Sequence, residues 1–164
     1  MIKKIIILAV SLFSLNHCNN IEIKDKYEGL IPYIEVEKTS LKEYKNINID
    51  EYILKFENRE SFVCFFYSTS CSYCHKLIEN VINPYIKETN NLIYGLDVYE
   101  DSNYERIEEI EHYQPIQNDY FSAKNSSVSI SRPITQVNQN GKVIDYEKGY
   151  TIKVNKLLKA YIKN

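Results

Sequence analysis

The sequence predicts an α/β domain: one central mixed sheet flanked by helices, behind an N-terminal signal segment. Three observations carry this. Ser61-Phe62-Val63-Cys64-Phe65-Phe66-Tyr67 is a near-continuous apolar run, as expected of a strand buried on both faces. It runs through Ser68-Thr69-Ser70 into Cys71-Ser72-Tyr73-Cys74 and then into a helically spaced segment. Near the C-terminus, two short β-rich runs flank Asn140-Gly141, a hairpin signal, and a last amphipathic helix follows.

The chain has 164 residues, enough for one domain with a substantial core, and a net charge of −2, which leaves no nucleic-acid footprint. Four cysteines are too few for a disulfide scaffold of this length. Lys3 and Lys4 precede an apolar run from Ile5 to Leu15. That run is too short to span a bilayer comfortably and suits a signal peptide. It ends in Leu15-Asn16-His17-Cys18, which resembles a bacterial lipobox, with His17 where a small residue normally stands. The expected organisation is a signal segment over 1–18, a polar tether over 19–30 and a folded domain over 31–164. Cys18 is the expected lipid anchor. The folded part is expected outside the cytoplasm, tethered to a bacterial membrane by a lipid or an uncleaved N-terminal anchor; disulfide chemistry is permitted there.

The elements follow in order. Ile31–Val36 has β character and, with Pro32 near its start, suits an outer strand. Asp50 is placed to cap a helix over Glu51–Glu57 with Tyr52, Ile53 and Phe56 on one face. After the Phe62–Tyr67 strand, a helix from Ser72 to Glu88 is expected to kink at Pro84. Asn91–Val98 reads as a second apolar strand. Ser102-Asn103-Tyr104-Glu105 fits a capping box opening a helix with Tyr104, Ile107 and Ile110 inward. The acidic stretch Glu100–Glu111 is a solvated face, and Pro115–Ser127 reads as polar and irregular. Ile134–Val137 and Lys142–Tyr146 are the hairpin strands. Thr151 opens the last helix, whose buried stripe is Val154, Leu157, Leu158 and Tyr161.

Two cysteines where a core strand meets a helix are placed for redox chemistry. Unpaired N–H groups and the partial positive charge of the helix start favour a thiolate at Cys71, making it the nucleophile. Cys74, one turn on, can attack the resulting mixed disulfide. His75, at i+4 from Cys71, is a candidate for tuning that thiolate, against the alternative of a solvent-facing side chain. Cys64, inside the strand, reads as a small apolar filler. A lone Cys-x-x-Cys pair lacks the second pair of a structural zinc site, so no metal is expected.

Strand, Cys-x-x-Cys and helix in this order, followed by Arg132-Pro133-Ile134-Thr135, a strand, Asn140-Gly141-Lys142, another strand and Gly149-Tyr150, resemble the thioredoxin superfamily over about residues 48–163. Exported and lipoprotein members, and short forms such as bacteriocin-transport accessory proteins, look most similar. The resemblance implies a thioredoxin-like fold and an exported thiol–disulfide oxidoreductase that needs no cofactor. Its partners would be protein thiols or disulfides and a redox partner protein. Pro133 would be the cis-proline beside the redox pair, with the Arg132 backbone exposed to a substrate strand. Tyr73, Arg132 and Pro133 would bind substrate, and the Arg132 side chain would tune Cys71. The chain departs from the family in three places. Phe65 stands where many members carry a buried acid beneath the second cysteine. Ser70 replaces an aromatic residue before the first. The segment between Asp101 and Arg132 is longer by half a helix and a loop.

Two other readings compete. One is a non-catalytic binding module using the groove near Pro133. The other is covalent haem attachment, since Cys71-Ser72-Tyr73-Cys74-His75 also matches that pattern, with His112 as the second axial ligand.

Overall fold

A computed structural model describes residues 25–113, 121–124, 127–130 and 132–164. The signal segment and Cys18 lie outside the described residues. The apolar run forms strand β2 (Phe62–Tyr67), and all six of its residues are buried. A strand with no polar face must be covered on both sides, and β2 accordingly sits at the centre of the sheet. With β1 (Lys45–Asn46), β3 (Ile93–Asp97), β6 (Ile134–Gln139) and β7 (Lys142–Lys148), the order is β1-β3-β2-β6-β7. β3 runs parallel to β2, with Val63 opposite Ile93. β6 runs antiparallel to it, with Phe66 opposite Ile134. This is the mixed sheet of a thioredoxin-like fold.

Alternation along β2 divides the core. Val63, Phe65 and Tyr67 pack with the helices after the Cys-x-x-Cys segment and with the C-terminal helix α5 (Ile152–Tyr161), through Val154, Leu157 and Leu158. Phe62, Cys64 and Phe66 pack on the other side with Tyr52 and Phe56 of α1 (Ile49–Glu57). Cys64 is thus the buried filler expected of it. Tyr161 is only half-buried, because its hydroxyl reaches out to donate to Asp145 at 3.3 Å.

The outer strand lies elsewhere than expected. Within Ile31–Val36, Ile34 alone makes a β-bridge, to Ile162, and Ile31 is 82% exposed; β1 at Lys45–Asn46 takes the edge beside β3. Packing also begins before residue 31. The Tyr27 ring closes the core over β7, its hydroxyl donating to Glu147 at 2.6 Å. Lys26 pairs with Asp145 and Glu147, and Asp25 pairs with Lys156 of α5. Asp25 and Lys26, within the stretch read as a polar tether, thus form ion pairs with the domain.

Helix starts differ where two polar residues compete for the cap. Asn48, not Asp50, caps α1: its side chain accepts from Glu51 N–H at 2.9 Å, and Glu51 returns a bond to Asn48 N–H at 3.1 Å. Ser102 is no cap either: the next helix starts from Glu100 without a side-chain cap bond, and the polar side chain that anchors it is Asn103. Buried at the start of α4 (Asp101–Tyr104), it donates to the Asp97 carbonyl at 2.8 Å and accepts from Ile49 N–H at 3.1 Å, tying β3 to α1. A 3₁₀ segment, Ile107–Tyr113, follows, and its three-residue repeat buries Ile107 and Ile110. Tyr104, expected inward, is 44% exposed.

The long helix runs through Pro84 by changing its winding. α2 (Ser72–Leu77) passes into a π-turn at Ile78–Ile82 and then into α3 (Asn83–Thr89). Asn83 N–H reaches back to the Ile78 carbonyl, and the widened turn accommodates a proline that cannot donate to the carbonyl four residues earlier. Phe121–Lys124 (β4), inside the stretch Pro115–Ser127 expected to be irregular, pairs antiparallel with Ser127–Ile130 (β5) at and beyond its end. Asn125 and Ser126 lie outside the described residues. Asn140 and Gly141 turn the β6–β7 hairpin with φ of 54° and 69°, as a type I′ turn requires.

Candidate functional site

The site forms at the C-terminal end of β2. Ser68-Thr69-Ser70 leaves the strand as a tight turn: Cys71 N–H donates to the Ser68 carbonyl at 3.0 Å, and the Ser68 and Ser70 hydroxyls bond to each other at 2.9 Å. This delivers Cys71 to the cap position of α2. Its sulfur accepts from the Cys74 N–H at 3.2 Å, a donor it shares with the Cys71 carbonyl at 3.0 Å. Cys71 and Cys74 are joined as a disulfide with Cα atoms 5.2 Å apart. The two sulfurs have different surroundings. Cys71 is partly exposed, and Cys74 is fully buried in the cluster containing Phe65, Tyr67 and Leu77. Helix geometry dictates this: Cys74 and Leu77 share the face turned to the sheet, and Ser72 and Tyr73 the face turned away.

Pro133 enters beside them. Ile134 pairs with Phe66, so the residue before it lies alongside the end of β2. The Arg132–Pro133 peptide bond is cis, Pro133 is buried, and its carbonyl accepts from Gly149 N–H at 2.7 Å. The sheet register therefore brings the Cys-x-x-Cys turn, the Arg132–Pro133 segment and the end of β7 to one edge of the molecule.

The tuning candidates point elsewhere. The His75 ring is exposed and its Nε2 lies 2.8 Å from the Thr69 carbonyl, which can only accept, so Nε2 carries the hydrogen. His75 thereby braces the turn that presents Cys71. The Arg132 guanidinium stacks on the Tyr99 ring at 3.9 Å, and Tyr99 stacks in turn on Tyr104 at 5.5 Å. Tyr99 and Tyr104 were not legible as site residues; the capping pattern around Ser102 assigned Tyr104 to the core. Tyr73 projects from the far side of α2, 62% exposed, with the Lys76 ammonium 5.7 Å from its ring centroid.

Phe65, and not an acid, occupies its position in the cluster with Cys74: it is fully buried, with the Tyr44 ring edge-on at 4.9 Å. Cys64 cannot join the exchange. It lies across the sheet from Cys74, and burial pushes its thiol far above the ordinary range. Among the described residues no cluster of three or more His, Cys, Asp or Glu side chains could hold a metal ion.

No family model matches this chain, and no curated protein does. Solved structures do. Oxidized thioredoxin O1 from Arabidopsis thaliana is 16% identical over 74% of this chain and 99% of that one, with a TM-score of 0.53. Thioredoxin f2 from Chlamydomonas reinhardtii is 14% identical over 70% and 93%, with a TM-score of 0.51. Thioredoxin O2 from Arabidopsis thaliana is 14% identical over 72% and 93%, with a TM-score of 0.50. At these identities the likeness establishes the thioredoxin fold.

Proposed function

We propose that the protein is a thiol–disulfide oxidoreductase acting on protein disulfides or thiols. The observation that carries this is the asymmetry of the Cys71–Cys74 pair: one sulfur partly exposed at a helix start, its partner sealed in the core directly behind it. A purely structural bridge needs no such division. In the reduced protein, the Cys71 thiolate attacks a substrate disulfide. A Cys71–substrate bond forms and one substrate sulfur leaves as thiolate. Cys74 then loses its proton, attacks the Cys71 sulfur and expels the second substrate thiolate. The substrate gains two electrons, and the protein is left as the observed disulfide. Run backwards, the same steps oxidise a substrate dithiol, and a redox partner protein resets the pair in either direction.

The Arg132 backbone, which has no hydrogen-bond partner among the described residues, pairs with the substrate chain beside Pro133. Tyr73, exposed between the two cysteines in the sequence, adds contact area for the substrate chain. The fold of the solved thioredoxins and the coincidence of redox pair and proline segment at one edge support this assignment. We further propose that the domain is exported and tethered to a bacterial membrane through Cys18, on the strength of the basic start, the apolar run and Leu15-Asn16-His17-Cys18. Metabolic palmitate labelling checks it: label should enter the wild type and be absent from Cys18→Ser.

Trapping tests the catalytic roles. With Cys74→Ser, the first bond forms and the second attack cannot occur. The variant should accumulate disulfide-linked adducts with protein substrates, each on Cys71 and each released by dithiothreitol. Absence of Cys71 adducts from a folded Cys74→Ser protein would leave the binding-module reading standing.

A further inference from the structure

Cys74 presents a physical problem. The second step needs it as a thiolate, yet its surroundings are apolar, and burying an unpaired charge is costly. The backbone N–H of Cys74 is held by the Cys71 carbonyl at 3.0 Å and the Cys71 sulfur at 3.2 Å. Some other donor is needed.

Five buried side-chain atoms among the described residues lack a hydrogen-bond partner: Asn83 Oδ1, Asn91 Oδ1, Thr135 Oγ1, Gln136 Oε1 and Thr151 Oγ1. Three are amide oxygens, which accept and cannot donate. Thr151 stands ahead of α5, at its cap position. Thr135 is different. It is fully buried on β6, and its hydroxyl can donate. It pairs in register with Phe65, and cross-strand partners project to the same face of the sheet. That face is the one carrying Phe65 and Cys74, whereas its neighbour Gln136 faces the opposite layer and bonds Tyr52. A buried hydroxyl with no partner is itself unfavourable, and its persistence calls for an explanation.

We propose that Thr135 is a positioning residue for the second thiol: its hydroxyl donates a hydrogen bond, directly or through one water, to the Cys74 sulfur when that sulfur is reduced and ionised. Thr135 keeps its proton throughout; the proton lost by Cys74 goes to water. Other polar groups bordering the cluster have partners of their own. The Tyr67 hydroxyl donates to Asn46 at 2.8 Å, and Tyr85 accepts from Asn91 at 3.1 Å. The Glu147 carboxylate, which pairs in register with Thr135, is held by the Tyr27 hydroxyl and the Lys26 ammonium. The role rests on reading Cys71–Cys74 as a redox pair.

The test separates the two thiols. Reduced protein is mixed with one equivalent of 5,5′-dithiobis(2-nitrobenzoate). Attack by Cys71 releases the first nitrothiobenzoate, and resolution by Cys74 releases the second and closes the disulfide. In Thr135→Val the first phase should be unchanged and the second slowed by about tenfold or more, the scale of a lost hydrogen bond to a charged group. Thr135→Ser, which keeps the hydroxyl, should restore the second phase. Equal second phases in wild type and Thr135→Val, or a Ser variant as slow as Val, would overturn the role of Thr135. A wild type that releases no nitrothiobenzoate at all would instead overturn the redox reading beneath it.

Discussion

Replacing Cys71 by serine should reduce dithiothreitol-driven insulin reduction to the uncatalysed background. This is the largest functional effect expected of any single substitution. Cys71 is the only sulfur of the pair with access to solvent: Cys74 is sealed beneath α2, and Cys64 lies across the sheet with a thiol that burial holds protonated. Serine keeps the cap geometry, since a hydroxyl can accept the Cys74 N–H as the sulfur does. The variant should therefore fold, and the loss reports chemistry. Turbidity from precipitating insulin B chain measures it. A Cys71→Ser protein as active as wild type would transfer the nucleophile's role to another residue or remove catalysis altogether.

Phe66→Ala should have the largest effect on stability among core changes that spare the site. Phe66 is fully buried at the centre of β2, with the Tyr52 ring 5.6 Å away at 62° and Ile134 opposite it on β6. It lies on the α1 side of the sheet, away from Cys74. Removing a buried phenyl ring costs about 3–5 kcal/mol through lost burial and the cavity left behind. Domains of this size are stable by only about 5–15 kcal/mol. Urea denaturation should show a large fall in midpoint, whereas Leu54→Ala on the exposed face of α1 should stay within about 0.5 kcal/mol of wild type. Comparable small shifts in both would mean that β2 is not the central strand.

The strongest elements of the fold were legible because one physical pattern dominates each of them. Phe62–Tyr67 is apolar at every position, so no arrangement other than a central strand covers it. Asn140-Gly141 accepts positive φ at both central turn positions, so the hairpin follows. Val154, Leu157 and Leu158 define α5 by spacing alone. The misplacements share a different cause: local signals in competition, settled by tertiary contacts. Asn48 and Asp50 are both good caps, and Glu51 completes the box only with Asn48. Ser102 fits a capping box in the sequence, but Asn103 is drawn into the gap between Asp97 and Ile49. Ile31–Val36 has strand composition, yet the edge beside β3 is taken by Lys45–Asn46.

The site divides in the same way. Cys71 and Cys74 were identifiable from their spacing at a strand–helix junction, and Pro133 from the resemblance to the thioredoxin superfamily. The side chains of His75 and Arg132 were not. Their orientation depends on the Thr69 carbonyl and the Tyr99 ring, partners that neither helix spacing nor the proline segment reveals. Thr135 was visible only as a letter after the proline. Its interest comes from the sheet register that sets it beside Phe65 and from the lack of a hydroxyl partner among the described residues.

The central claim is that Cys71 and Cys74 form a working redox pair and not a structural bridge. Its most direct test is an equilibrium titration of the soluble domain in thiol redox buffers of graded potential, quenched with a maleimide and read by mass spectrometry. The account predicts that both cysteines pass together from unlabelled to labelled in one reversible two-electron transition, with a midpoint above about −300 mV, while the fold persists. A bond that resists reduction below about −300 mV, or that opens only as the domain unfolds, would contradict it.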